Sequence, residues 1–380
     1  MATKSKDPVV VVLQLTGGND YFNTVIPYTD QNYYDNRPTL QIRDDRVLKL
    51  DDELGFHPAM GPVKELYDKG RMAVVHGVGY ANSPRSHFRS MDIWHTCEPD
   101  KVGTEGWLGR AIREIDPEGE NPVTGVNVGQ ALPRAMVVPG VSVASVADLS
   151  TYGLLTGIEE EKTRAKMLER FANMYGPAIG TGPVMDYLGQ TGRDALKGAD
   201  ILKAAPEGYS SDVEYGADNI SRSLRDVAMI HTADLGTRIF YTQHGSFDTH
   251  AAQAATHAKL WTEVSQAISD FWDDLREHDA DDNVIMFLFS EFGRRVRDNG
   301  GGTDHGAAGV SFAIGPKVKG GMYGVYPETR AEALEQGDLV PNLDFRGVYS
   351  TIIEDWMGMD PVPIVNGQFE QPKFLATNGA

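Results

Sequence analysis

The chain has one cysteine, Cys97, among 380 residues. That excludes an internal disulfide and a thiolate-rich zinc site, and leaves a solitary thiol whose ordinary place is a packed interior. Basic charge is also scarce: 35 Lys and Arg stand against 54 Asp and Glu, a formal net charge of −19. A field of that sign disfavours nucleic acid and anionic lipid as partners. The expected partner is a small molecule, and if it is an anion a local cationic feature must receive it. No apolar run approaches the roughly 20 residues that span a bilayer, so a membrane protein is not expected. The polar start MATKSKDP leads into a short apolar segment with no small-residue cleavage site after it. It reads as a first strand, which gives a cytoplasmic protein, or a periplasmic or exported one from which a leader has been removed. Motifs are missing too: there is no phosphate-cradling Gly-x-x-x-x-Gly-Lys-Ser/Thr, no Gly-x-Ser-x-Gly elbow and no His-Glu-x-x-His.

What is present is an alternation. Apolar runs of strand length recur at Val9–Leu15, Met72–Val78, Ala135–Val138, Arg238–Gln243, Val284–Phe289 and Val310–Gly315. Continuous apolarity implies strands covered on both faces, the pattern of a parallel sheet. Between them lie helical patterns: Pro62–Asp68, His87–His95, Trp107–Ile115, Glu159–Met174, Ile220–Leu235, Leu260–Leu275 and Phe345–Met357, the last behind an Asp344 cap. The expectation is an α/β fold, one domain over residues 1–380, with a cap or insert around 181–216 where Gly, Ala, Asp and Tyr dominate.

Polar clusters follow the strands. Gly17-Gly18-Asn19-Asp20 stands behind the first, Asn82 to His87 behind the second, His244 to His250 behind Arg238–Gln243, and Ser290 to Arg294 behind Val284–Phe289; Gly302 to Gly306 precedes the last. In open α/β sheets ligands bind beyond the carboxyl ends of strands, so four clusters are expected on one rim. Asp20, Asp248, His250, Glu291 and His305 offer carboxylate and imidazole donors without thiolate, a set that suits one or two divalent ions: Zn²⁺, Mn²⁺ or Fe²⁺, or Mg²⁺ or Ca²⁺ with fewer imidazoles. Asp248 and His250 are two apart and reach the same side of an extended segment, although Asp248 or Thr249 also reads as a cap for a helix near Ala251. Ser86, ahead of the helix at His87, is either its cap or a nucleophile held at a helix N-terminus. Arg85 and Arg294 carry guanidinium forks that match tetrahedral oxyanions, and His87 is a candidate ligand or base.

Taken in order, Leu15 to Asp20 with Asn23 and Pro27, Arg85-Ser86-His87-Phe88, Phe247-Asp248-Thr249-His250 with Gln253 and His257, Ser290 to Arg294, and Asp304-His305-Gly306 resemble the bacterial domain-of-unknown-function family 1501, over Val9 to Pro327. That family in turn resembles the alkaline phosphatase and sulfatase superfamily. The resemblance implies a three-layer α/β/α sandwich, one or two divalent metals, and a Ser, Thr or formylglycine-type nucleophile acting on phosphate or sulfate esters. It assigns Asp20, Asp248, His250, Glu291 and His305 to metal and Ser86 to nucleophilic attack. Asp248 and His250 stand two apart where superfamily phosphatases use a spacing of four, and Glu291-Phe292 stands where many carry Asp-His. The residues around Ser83 do not fit the formylglycine signature. Hydrolysis of a small anionic ester is the reading that results; a non-catalytic metal or anion binder, or a phosphoryl-transfer or mutase-type enzyme, are its competitors.

Overall fold

A computed structural model describes residues 6–149 and 197–376, with four single positions (163, 166, 167 and 170) between them. The strands are β1 (Val9–Leu15), β2 (Val25–Pro27), β3 (Leu48–Lys49), β4 (Leu54–Phe56), β5 (Met72–Gly79), β6 (Gly125–Val128), β7 (Ala144–Val146), β8 (Ile239–His244), β9 (Val284–Phe289), β10 (Gly309–Ile314), β11 (Gly321–Tyr323) and β12 (Leu343–Asp344). The helices used below are α1 (Tyr21–Thr24), α2 (Gln31–Asn36), α3 (Gly61–Asp68), α4 (His87–Thr96), α5 (Trp107–Ile115), α6 (Asn219–Thr232), α7 (Gln253–Glu277) and α8 (Phe345–Thr351).

The central sheet runs β11-β5-β10-β9-β1-β8-β6-β7, with β12 also beside β5. Its middle strand, β1, pairs parallel with β8 and β9, in a register that sets Leu15 beside His244 and Gln14 beside Phe289. All seven residues of β1 are buried, and they serve two cores. Val9, Val11, Leu13 and Leu15 pack with residues of α3, α6 and α7, whereas Val10 and Val12 pack with residues of α4, α5 and α8. Helices therefore cover both faces, and the fold is the expected three-layer α/β/α sandwich around a mostly parallel sheet.

Among the described residues only β10 runs against the rest of this sheet, antiparallel to both β5 and β9. Its start consequently lies at the same rim as the ends of β1, β5, β8 and β9. The one cluster that precedes a strand thus joins the four that follow strands.

Five expected strands are present, and Ala135–Val138 is not one. Pro133 leads into a 3₁₀ turn at Arg134–Met136, and Pro139-Gly140 closes the run before a ladder can form. Ala135 and Met136 instead back α5, where Gly109 lets Met136 approach. The outer sheet positions belong to the short β6 and β7, which carry no comparable apolar run. Asp344 caps α8 as expected, accepting from Arg346 N at 2.9 Å, but the helix turns into a single π turn at Ile352–Trp356. Apart from four single positions (163, 166, 167 and 170), the helix expected at Glu159–Met174 lies outside the described residues. So does the first part of the 181–216 stretch; in the remainder, Leu202 and Ala205 pack into the core beside α6. Among the described residues no helix is long and apolar enough to cross a membrane. Cys97 is buried at the end of α4, its thiol pushed up to about 12 by burial.

Candidate metal centre

Two glycines shape the floor of the rim. Gly17 and Gly18 have φ of +122° and +81°, conformations that L side chains rarely adopt. A Cβ on Gly17 would fall 2.3 Å from Asp248 N, and one on Gly18 would fall 2.4 Å from the Phe292 ring. The chain leaving β1 is thereby pressed against the chains leaving β8 and β9. Gly17 N donates to Glu291 Oε1 at 2.9 Å, and the carbonyls of Gly17 and Gly18 both accept from Arg294. The glycines bring backbone to a carboxylate and a guanidinium, not to an ion.

Arg294 is 1% exposed. Besides those two carbonyls it holds Thr303 O at 2.8 Å, Phe247 O at 3.0 Å and Asp248 Oδ1 at 2.6 Å. Every donor of this guanidinium faces the protein, so it positions Asp248 and does not receive an outer anion. Arg85 is likewise spent: its Nε donates to Asp338 Oδ2 at 2.5 Å and Nη1 to Gln336 Oε1 at 3.1 Å. These are corrections to the anion-binding role expected for both arginines.

Asp248 is the hub. Its Oδ1 lies 3.0 Å from His305 Nε2 and 3.1 Å from His250 Nε2, and its Oδ2 lies 3.5 Å from His87 Nε2. Partial burial opposes its charge, yet the hydrogen bonds from Arg294 and His305, with the charges of Arg294 and His250, hold its pKa down to about 2. It is a carboxylate at any working pH.

Each histidine is held by its far nitrogen. His87 Nδ1 meets Glu291 Oε1 at 2.9 Å, His305 Nδ1 meets Arg85 O at 2.9 Å, and His250 Nδ1 meets Asp304 Oδ1 at 3.3 Å. A carbonyl or carboxylate can only accept, so each ring is braced through Nδ1 and turns its Nε2 toward Asp248. The bond that His87 donates to Glu291 leads the causes that raise the pKa of His87. Phe292 packs against the rings of His87 and His305, with centroids 5.0 and 4.8 Å away, and fixes their tilt. A two-residue bridge pairs Arg294 with His305, which delivers His305 to the end of β9.

The consequence is a cluster of donor atoms at one point of the rim. The Nε2 atoms of His250 and His305 face each other at 3.0 Å, and the buried Nε2 of His87 has no hydrogen-bond partner. Ligand atoms of His87, Asp248 and His305 all lie within 4.8 Å of one another. Imidazole nitrogens and a carboxylate gathered at this spacing are a fitting donor set for Zn²⁺, Mn²⁺ or Fe²⁺, with His87, Asp248 and His305 at its centre and His250 beside them.

Two expected ligands are not in this group. Asp20 is wholly buried, with its oxygens gripped by Arg37 at 2.5 and 2.9 Å, and its pKa stays lowered because that guanidinium outweighs the effect of burial. Glu291 is buried behind His87, and its second oxygen accepts from Ser290 Oγ at 3.2 Å. It orients a donor and is not one. Neither Asp248 nor Thr249 caps α7, whose N-cap position is Ala252 in a left-handed conformation. Ser86 does hold the N-cap position of α4, but its side chain makes no capping bond.

Three further histidines are held in structural hydrogen bonds. His76 pairs with Tyr21 OH at 2.9 Å inside β5, and His57 accepts from Ala59 N at 3.1 Å. His257 reaches Asn19 Oδ1 at 3.3 Å, beneath the rim and away from the cluster. Sequence reasoning passed over Arg37 and Asp304 as site residues; an arginine in a loop after α2 carries no local signal, whereas Asp304 stood in a noted cluster.

Residues 187–364 match the model of a family described as "Protein of unknown function (DUF1501)", the family that the motifs resemble. The matched stretch contains Asp248, His250, Glu291, Arg294 and His305. No curated protein matches the sequence. Among solved structures, a PsFucS1 sulfatase from Pseudoalteromonas sp. is similar at 14% identity and a TM-score of 0.41, covering 98% of this chain and 73% of that one. A protein in the alkaline phosphatase superfamily from Vibrio parahaemolyticus is similar at 8% identity and 0.42, covering 95% and 71%. The C-terminal periplasmic domain of EcEptC from Escherichia coli, in complex with Zn, is similar at 10% identity and 0.42, covering 98% and 89%.

Proposed function

We propose that this protein is a metal-dependent hydrolase of a small phosphate or sulfate ester. The observation that carries the reading is the convergence of three Nε2 atoms on the Asp248 carboxylate, each ring braced from behind. His87, Asp248 and His305 would hold one divalent ion, with His250 at its side. Such an ion supplies a Lewis acid that lowers the pKa of a bound water or hydroxyl and neutralises charge on the transferred group.

The chain's own contributions follow from the rim. Glu291, Arg85 O and Asp304 brace each imidazole through Nδ1 and leave its Nε2 turned toward Asp248. Arg294 locks Asp248 in its ionised form and ties the β1, β8 and β9 loops to it. Ser86, next to His87, keeps its hydroxyl free of a cap bond at the N-terminus of the ten-residue α4. There the free N–H groups of the first turn and the helix dipole favour an anion and an attacking oxygen. With Arg85 and Arg294 otherwise engaged, the bound ion and this N-terminus would together supply the cationic character that an anionic substrate needs in a chain of net charge −19.

Purified protein loaded with Zn²⁺ or Mn²⁺ should turn over an aryl phosphate or an aryl sulfate. His305→Ala should lose both the ion and the turnover. Bound metal without turnover of phosphate monoesters, diesters or sulfates would instead favour the non-catalytic binder.

A further inference from the structure

We propose that the guanidinium of Arg37 takes at Asp20 the place of a second metal ion, so that the centre holds one divalent cation and not two. The inference rests on the metal reading given above and narrows it.

Asp20 stands at the carboxyl rim, just beyond β1, where a ligand aspartate was expected. Its two oxygens are closed by a planar fork: Arg37 Nη1 donates to Oδ2 at 2.5 Å and Nη2 to Oδ1 at 2.9 Å. Gln253 Nε2 adds a further donor to Oδ2. Arg37 is itself fully buried, and its other donors hold Val296 O at 2.6 Å and Arg295 O at 2.9 Å. This cation cannot exchange with solvent. A divalent ion would have to displace a guanidinium with four acceptors and strand it unpaired in the interior, and loss of one partner from a buried pair is strongly unfavourable.

The neighbouring residues agree. Glu291 offers an oxygen already shared by Gly17 N and His87 Nδ1. Phe292, where the resemblance expects an imidazole, fills its space with a buried ring against Gly18, His87 and His305. Between Asp20 and the cluster, Gln253 is committed as well, its Oε1 accepting from Thr249 Oγ1 at 3.1 Å and Thr303 Oγ1 at 2.6 Å. The donors that a second ion needs are each satisfied by a protein group. A fixed organic cation therefore does the charge compensation at Asp20, and the exchangeable cation is confined to Asp248 and its three imidazoles.

The test is metal stoichiometry. The wild type and the double variant Asp20→Asn with Arg37→Gln, which removes both charges and keeps amide hydrogen bonding, are loaded with Zn²⁺, gel-filtered and assayed by elemental analysis. One equivalent per chain in both, with affinity unchanged within threefold, is the expected result. Two equivalents in the wild type, or loss of an ion or of tenfold affinity in the double variant, overturns the inference and leaves the hydrolase reading standing. No metal in the wild type overturns both. Should the double variant fail to fold, Arg37→Ala gives an independent readout: millimolar guanidinium should raise its thermal midpoint and leave that of the wild type unmoved. Absence of that response overturns the role given to Arg37.

Discussion

Arg294 Nη2 lies 2.6 Å from Asp248 Oδ1, and the same guanidinium holds the carbonyls of Gly17, Gly18, Phe247 and Thr303. One side chain thus joins the loops behind β1, β8 and β9 and fixes the acid on which three imidazoles converge. The fork geometry is what allows this, and lysine, a point charge on a flexible stem, cannot reproduce it. Arg294→Lys keeps the charge but leaves buried carbonyls without their donor, and is expected to cost about 1–3 kcal/mol. Denaturant unfolding of variant and wild type measures it, and a cost below ~1 kcal/mol would remove Arg294 from this role.

Glu291 acts through His87 Nδ1. Replacing it by glutamine keeps the volume but weakens the acceptor that holds the ring, and loss of such an outer partner costs typically ~10–100-fold in metal affinity. Competition with a coloured chelator should show that drop in Glu291→Gln with the bound stoichiometry unchanged. Were Glu291 itself a ligand, an ion would be lost outright.

Ser86 separates two readings that the sequence left open. Because its side chain caps nothing, Ser86→Ala should alter stability by no more than ~0.5 kcal/mol, against ~1 for a lost cap. The variant should also lose any burst of product release from an activated ester. A stability loss near the capping value with an intact burst would make Ser86 structural.

Four histidines are buried and held neutral, with burial the leading cause in each: His57 and His95 lowered to about 3, His76 and His257 to about 4. Their ordinary value is 6.5, so between that pH and 3 to 4 the unfolded chain binds more protons than the folded one. Stability is therefore full above pH 6.5 and falls as the pH drops, by up to ~1.4 kcal/mol per pH unit for each ring. Unfolding midpoints at pH 7, 6 and 5 should decline in that order. His95→Gln should flatten the decline, and an unchanged slope would show that His95 does not take part.

The sheet's central strands and the rim were legible because continuous apolar runs mark strands covered on both faces, and polar clusters behind them mark one edge. Even the cluster that precedes a strand fits, once β10 runs antiparallel. The ligand set was legible only in part. Asp248, His250 and His305 meet, but Asp20 and Glu291 look alike in sequence whether they face an ion, Arg37 or His87. That distinction depends on side chains brought from distant positions, such as Arg37, which no local pattern announces. Ala135–Val138 misled for a related reason: its apolar residues are buried against α5, and burial alone does not distinguish a strand from a packed turn bracketed by prolines.

The most direct measurement is anomalous scattering at the metal edge from crystals of protein loaded with Zn²⁺. The account expects one strong peak, roughly 2.0–2.2 Å from Nε2 of His87 and His305 and from a carboxylate oxygen of Asp248. A peak at Asp20 with Arg37 displaced, or no peak among these three side chains, would contradict it.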